Sequence, residues 1–117
     1  MENISTNDLL KEFNLNGDKW SYKGETPCVI DFYATWCGPC KGIETVLNDL
    51  SKEHSNIKFY RVDVEEEYEL SRIFSIKSLP TIIFCSKDSQ PTIITGTLPK
   101  SKLEQYIKGM GKNEILA

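Results

Sequence analysis

A single histidine, His54, stands among 117 residues, and the four cysteines include only one Cys-x-x-Cys pair. A structural zinc site asks for four nitrogen or sulfur ligands, usually two such pairs or one pair with two spaced histidines. His54, Cys28 and Cys85 would have to complete the set, yet both cysteines sit in strand-like apolar runs, so no metal is expected. A c-type haem attachment is excluded as well, because Lys41 and not histidine follows Cys40. Positive charge is not in excess: 14 Lys and Arg against 17 Asp and Glu give a net charge of −3, which leaves no electrostatic footprint for nucleic acid or an anionic membrane. No stretch approaches the ~18 apolar residues of a membrane span. The first residues, Met1 to Asp8, lack the basic region and apolar core of a secretory signal, so a cytoplasmic location is expected. There is no internal repeat or low-complexity segment. The length suits one ordinary core and not two, which predicts a single domain over 1–117.

What is present is concentrated at one join. Val29-Ile30-Asp31-Phe32-Tyr33-Ala34 is short and rich in β-branched and aromatic residues, as a buried central strand would be apart from Asp31. Ile43, Val46, Leu47 and Leu50 follow at i, i+3, i+4, i+7, one apolar stripe of a helix. Between them lies Trp36-Cys37-Gly38-Pro39-Cys40-Lys41. Pro39 suits the first turn of a helix, where its fixed φ helps and its missing N–H would have had no partner. Cys37 therefore falls at a helix N-terminus, where free N–H groups and the macrodipole favour a thiolate, the attacking species in disulfide exchange. Cys40, three residues on, lies on nearly the same side of the turn and within reach of a reversible bridge. A structural disulfide with no turnover is the competing reading, and the helix N-terminus argues against it by favouring reactivity.

Asp31 lies inside the apolar run, on the side leading to Cys40. Desolvation raises a carboxylate's pKa, and a base poised near neutrality can take the Cys40 proton. The plainer alternative is a carboxylate that only hydrogen-bonds its neighbours. Cys28 and Cys85 are expected to be spectators, since burial among apolar strands blocks access to a thiol.

The segment from Asp31 to Lys41 resembles the active-site segment of the thioredoxin family, and Ser78-Leu79-Pro80-Thr81 resembles its cis-proline loop. Gly96, sixteen positions after Pro80, falls where that family has a glycine facing the active site. The similarity runs from about Pro27 to the last helix. It implies an α/β thioredoxin fold, a mixed central sheet flanked on both faces by helices, in the order helix, strand, helix, strand, helix, hairpin, helix. It also implies a protein-disulfide reductase in which Cys37 attacks and Cys40, helped by Asp31, resolves the mixed disulfide. Trp36, Gly38, Pro39, Leu79, Pro80, Thr81 and Gly96 would hold the substrate segment. The implied partners are disulfide-containing proteins and a thioredoxin reductase or equivalent electron donor, with no cofactor beyond the dithiol and a monomeric chain. An oxidase or isomerase on the same fold, and a scaffold subunit independent of redox, remain alternatives; Gly38-Pro39 between the cysteines matches the reducing relatives.

For the rest of the chain, Ser5 to Asp8 predicts a helix start, with the helix over about residues 6 to 12. Phe13 to Leu15 reads as a short strand and Gly17-Asp18-Lys19-Trp20 as a tight helical turn within a polar connection that Trp20 and Tyr22 pack onto the body. Ile57 to Val64 alternates as a strand. Arg61 within it occupies a position where thioredoxins often carry lysine, which puts it near Asp31; a solvated surface arginine is the alternative. Glu65-Glu66-Glu67 is expected to open a short helix as capping charge. Lys87-Asp88-Ser89 is expected to turn a hairpin, with Pro91 on an edge strand. Lys100 to Lys108 forms the last helix, and a tail follows Gly109.

Overall fold

The computed structural model describes residues 1–17, 19–87 and 89–110. Its centre is a five-stranded mixed sheet. The strands are β1 (Glu2–Asn3), β4 (Cys28–Tyr33), β5 (Lys58–Asp63), β6 (Thr81–Cys85) and β7 (Thr92–Thr95), in spatial order β1-β5-β4-β6-β7. β5 runs parallel to both β1 and β4, whereas β6 is antiparallel to β4 and β7. Every residue of β4 is buried, as its near-continuous apolar run requires.

Alternation along β4 sorts its side chains between two cores. Cys28, Ile30 and Phe32 face α1 (Thr6–Leu10) and α3 (Tyr68–Ile73), represented by Leu9 and Leu70. Val29 faces α2 (Gly38–Glu53) and α4 (Lys100–Met110), represented by Leu47, Leu50, Leu103 and Ile107. The same period of two puts Asp31 on the α2/α4 side. Helices thus cover both faces of the mixed sheet, as expected.

Four local expectations change. α1 ends at Leu10, with Ser5 capping it by accepting from the Asp8 N–H at 3.2 Å, and a turn replaces its expected last residues. Lys19–Trp20 are not part of a helical turn: they begin β3 (Lys19–Tyr22), which pairs with β2 (Phe13–Asn16) from Phe13↔Tyr22 to Asn16↔Lys19. The reason is aromatic packing. Alternation turns Trp20 and Tyr22 to one side, where Phe13 meets both edge-on at 5.5 and 5.3 Å and Trp20 also meets Phe74 at 4.6 Å. Gly17, at φ 65°, supplies the left-handed backbone near the tip. β1 was not anticipated, being only two residues long. Finally, Glu65 and Glu66 lie in a turn and Glu67 is the N-cap residue of α3 as the acidic run implied, but the Glu67 carboxylate makes no capping bond there and serves α1 instead, accepting from the Thr6 N–H at 2.7 Å and hydroxyl at 2.9 Å.

The β6–β7 hairpin is present and β7 is an edge strand, beginning just after Pro91. Asp88 of its expected turn and the tail at 111–117 lie outside the described residues. Among the described residues no helix is long and apolar enough to cross a membrane.

Candidate active site

β4 stops at Tyr33, and the Cys37 N–H donates to the Ala34 carbonyl at 3.1 Å, closing a tight turn that delivers Cys37 to the N-cap of α2. No side chain caps this helix start, so its free N–H groups and dipole are available to a sulfur. Pro39 occupies the first turn as expected. Cys37 and Cys40 are joined by a disulfide, their Cα atoms 5.4 Å apart. Cys37 is 5% exposed and lines a surface groove, whereas Cys40 is 1% exposed and does not line it, which makes Cys37 the outward cysteine.

Trp36, 70% exposed, stands beside a groove whose lining includes Cys37, Gly38, Pro39, Ile76 and Leu79. A Cβ added at Gly38 would meet nothing within 4 Å, so the glycine leaves the surface beside Cys37 bare. Across the groove the Leu79–Pro80 peptide bond is cis. The Gly96 N–H donates to the Pro80 carbonyl at 2.8 Å, and Gly96 has φ 86°, a backbone region that an L side chain rarely adopts. Thr81 is buried, its hydroxyl donating to the Ser78 carbonyl at 2.6 Å. Trp36, Gly38, Pro39 and Leu79 therefore gather around Cys37, while Pro80, Thr81 and Gly96 hold the adjoining loop.

Asp31 is fully buried, and neither carboxylate oxygen accepts a hydrogen bond from a described residue. Burial pushes its pKa up to about 6, against the lowering influence of Arg61, and the Glu44 carboxylate adds to the rise. Arg61 is Asp31's register partner on β5, with Nε 3.6 Å from Oδ2. That is an ion-pair distance, too long for a hydrogen bond. The Arg61 side chain is not a solvated surface group: it is mostly buried, its Nη2 lies 2.9 Å from Glu44 Oε2, and its guanidinium carbon is 3.7 Å from the centre of the Tyr33 ring. Glu44 and Tyr33 escaped the sequence reading; the available signal was Glu44's place four residues after Cys40, on the same helix face.

Cys28 and Cys85 are both buried and free. They are register partners across β4 and β6, on the opposite face of the sheet from Asp31. Among the described residues no cluster of three or more His, Cys, Asp or Glu is placed to hold a metal ion.

The family model described as thioredoxin matches residues 12–109. A thioredoxin of Borreliella burgdorferi is 42% identical over 102 residues, covering 86% of this chain and 87% of that one. The chloroplastic M-type thioredoxin of Spinacia oleracea is 34% identical over 81% of this chain, which spans 55% of that protein's length. Among solved structures, the thioredoxin of Malassezia sympodialis superposes with a TM-score of 0.75 at 31% identity, covering 94% of this chain and 90% of its own. Family, fold and the paired cysteines agree: the chain belongs to the thioredoxin family and is a protein thiol–disulfide oxidoreductase.

Proposed function

We propose that this protein works as a dithiol reductase of protein disulfides, as a single thioredoxin domain over 1–117. The Cys37 thiolate attacks one sulfur of a substrate disulfide. The substrate S–S bond breaks, a Cys37–substrate mixed disulfide forms, and one substrate thiolate leaves. Cys40 then gives its proton to Asp31 and attacks the Cys37 sulfur, which releases the second substrate thiolate and leaves the Cys37–Cys40 disulfide. Two electrons and two protons from a thioredoxin reductase or an equivalent donor restore the dithiol.

The observation that carries this reading is the pair itself, an outward Cys37 on an uncapped helix N-terminus bonded to a more buried Cys40. Trp36, Gly38, Pro39 and Leu79 offer an apolar surface to the substrate segment. Pro80, Thr81 and Gly96 keep the loop beside it in a shape an extended chain can pair with. The reading needs no cofactor beyond the dithiol, no nucleic acid and no membrane, and takes the protein as a cytoplasmic monomer.

Insulin reduction coupled to a thioredoxin reductase tests it. The native protein should turn over, and Cys37→Ser should fall to the uncatalysed background. Turnover by the Cys37 variant would overturn the mechanism. A redox titration settles direction: a potential near the thioredoxin value of about −270 mV supports a reductase, and one near the roughly −120 mV of a strong oxidant would refute it.

A further inference from the structure

Asp31 is buried on the face of β4 that α2 and α4 cover. The groups that meet it there are few. From β5 comes Arg61 and from α2 comes Glu44, on the helix whose first turn carries Cys40. Its register partner on β6 is Ile82, and α4 presents Leu103 and Ile107 to that core. Among the described residues, the charges acting on Asp31 are therefore one guanidinium and one carboxylate.

Those two charges are bound to each other more closely than either is to Asp31. Arg61 Nη2 meets Glu44 Oε2 at 2.9 Å, a charge-assisted hydrogen bond, whereas its Nε stays 3.6 Å from Asp31 Oδ2 and is itself without a hydrogen-bond partner among the described residues. The guanidinium carbon also lies 3.7 Å from the centre of the Tyr33 ring, a cation–π contact that keeps the group close to β4. Glu44 lies one helical turn after Cys40, on the same face of α2, so the helix that carries the resolving sulfur also carries the group that holds Arg61.

We propose that Glu44 is a positioning residue for proton transfer at Asp31: by engaging the Nη2 edge of Arg61 it holds the guanidinium short of a hydrogen bond to Asp31 and leaves both oxygens of that carboxyl open to a proton from Cys40. This rests on the assignment of Asp31 as the base for Cys40. Removing the Glu44 charge acts twice in one direction. A nearby negative charge is lost, and the guanidinium, still held by Tyr33, is free to turn toward Asp31. Both changes favour the ionised carboxylate.

The test is a carbon-13 NMR titration of the Asp31 carboxyl in the oxidised protein, with Asp31→Asn supplying the assignment, in the native chain and in Glu44→Gln. Glu44 is half-exposed on a helix, so the substitution is compatible with folding, which a thermal melt verifies. The midpoint should fall by about one pH unit in Glu44→Gln. In stopped-flow reduction, the pH profile of the Cys40-dependent step should move by the same amount while the first attack by Cys37 keeps its rate. An unchanged or raised midpoint in Glu44→Gln overturns the role of Glu44, and the Asp31 assignment stands if Asp31→Asn still slows resolution. Resolution unaffected by Asp31→Asn removes the base, and with it the proton-transfer role, even if Glu44→Gln moves the midpoint.

Discussion

The chain holds two pairs of cysteines within reach of each other. Cys37 and Cys40 span 5.4 Å between Cα atoms. Cys28 and Cys85 face each other directly across antiparallel strands, where Cα atoms lie about 4.5 to 5.5 Å apart. Proximity therefore does not distinguish the bonded pair from the free one. Surroundings do. The first pair brackets a helix start at the surface, beside an exposed Trp36. The second lies under the β2–β3 hairpin among Leu9, Phe13 and Tyr22. There a hydrogen bond with Cys28, together with burial, pushes the Cys85 thiol well above its ordinary pKa. Access and the electrostatics of the helix end, not distance, assign the chemistry to one pair.

The largest effect should come from separating the roles within the reactive pair. Cys40→Ser leaves the outward sulfur in place but removes its resolving partner, so turnover should stop while mixed disulfides with substrate accumulate, visible as mass adducts on Cys37.

The second effect would break the comparison by exposing the buried pair. Phe13 meets Trp20 and Tyr22 within the hairpin and Phe74 outside it through three edge contacts. Phe13→Ala should cost about 3 to 5 kcal/mol in denaturant melts. It should also speed alkylation of Cys28 and Cys85 in the folded protein by loosening their cover.

Asp31 belongs to the reactive side, and its pKa gives a pH-dependent effect of known sign. The folded value of about 6 lies above the reference value of 3.8, so ionising Asp31 penalises the fold. The penalty is absent below pH 3.8, grows as pH rises, and is complete above about 6. Asp31→Asn should therefore stabilise the protein by up to about 3 kcal/mol at pH 8 and by little at pH 4, measured by denaturant melts across that range. It should also slow resolution by Cys40.

The smallest effect is expected from the spectators. Cys28→Ala keeps the site apolar and removes only the sulfur, so stability should fall by roughly 1 kcal/mol and insulin reduction should be unaffected.

The reactive pair was legible in the sequence because its signals are local. A strand's apolar run, a proline in a helix's first turn and two thiols three residues apart all lie within a dozen positions, and alternation along β4 assigns Asp31 its face. Of the β2–β3 hairpin the first strand was legible at Phe13 to Leu15 but the second was not, since Lys19 to Tyr22 become a strand by pairing with β2 and by aromatic contacts with Phe13 and with Phe74, far along the chain. Glu44 was hidden for a related reason. On its own helix it is an exposed acid, and its pairing with Arg61 depends on the register of β5 against β4. Glu67 reads as a charge for its own helix, yet it caps α1 sixty-one residues away.

Timed alkylation of the fully reduced, folded protein, with each cysteine followed by mass spectrometry, tests the contrast between the two pairs most directly. Cys37 should be modified first and Cys40 more slowly, with Cys28 and Cys85 reacting only on the timescale of unfolding. Modification of Cys28 or Cys85 at a rate comparable to Cys37 would contradict the assignment of reactivity to the helix end.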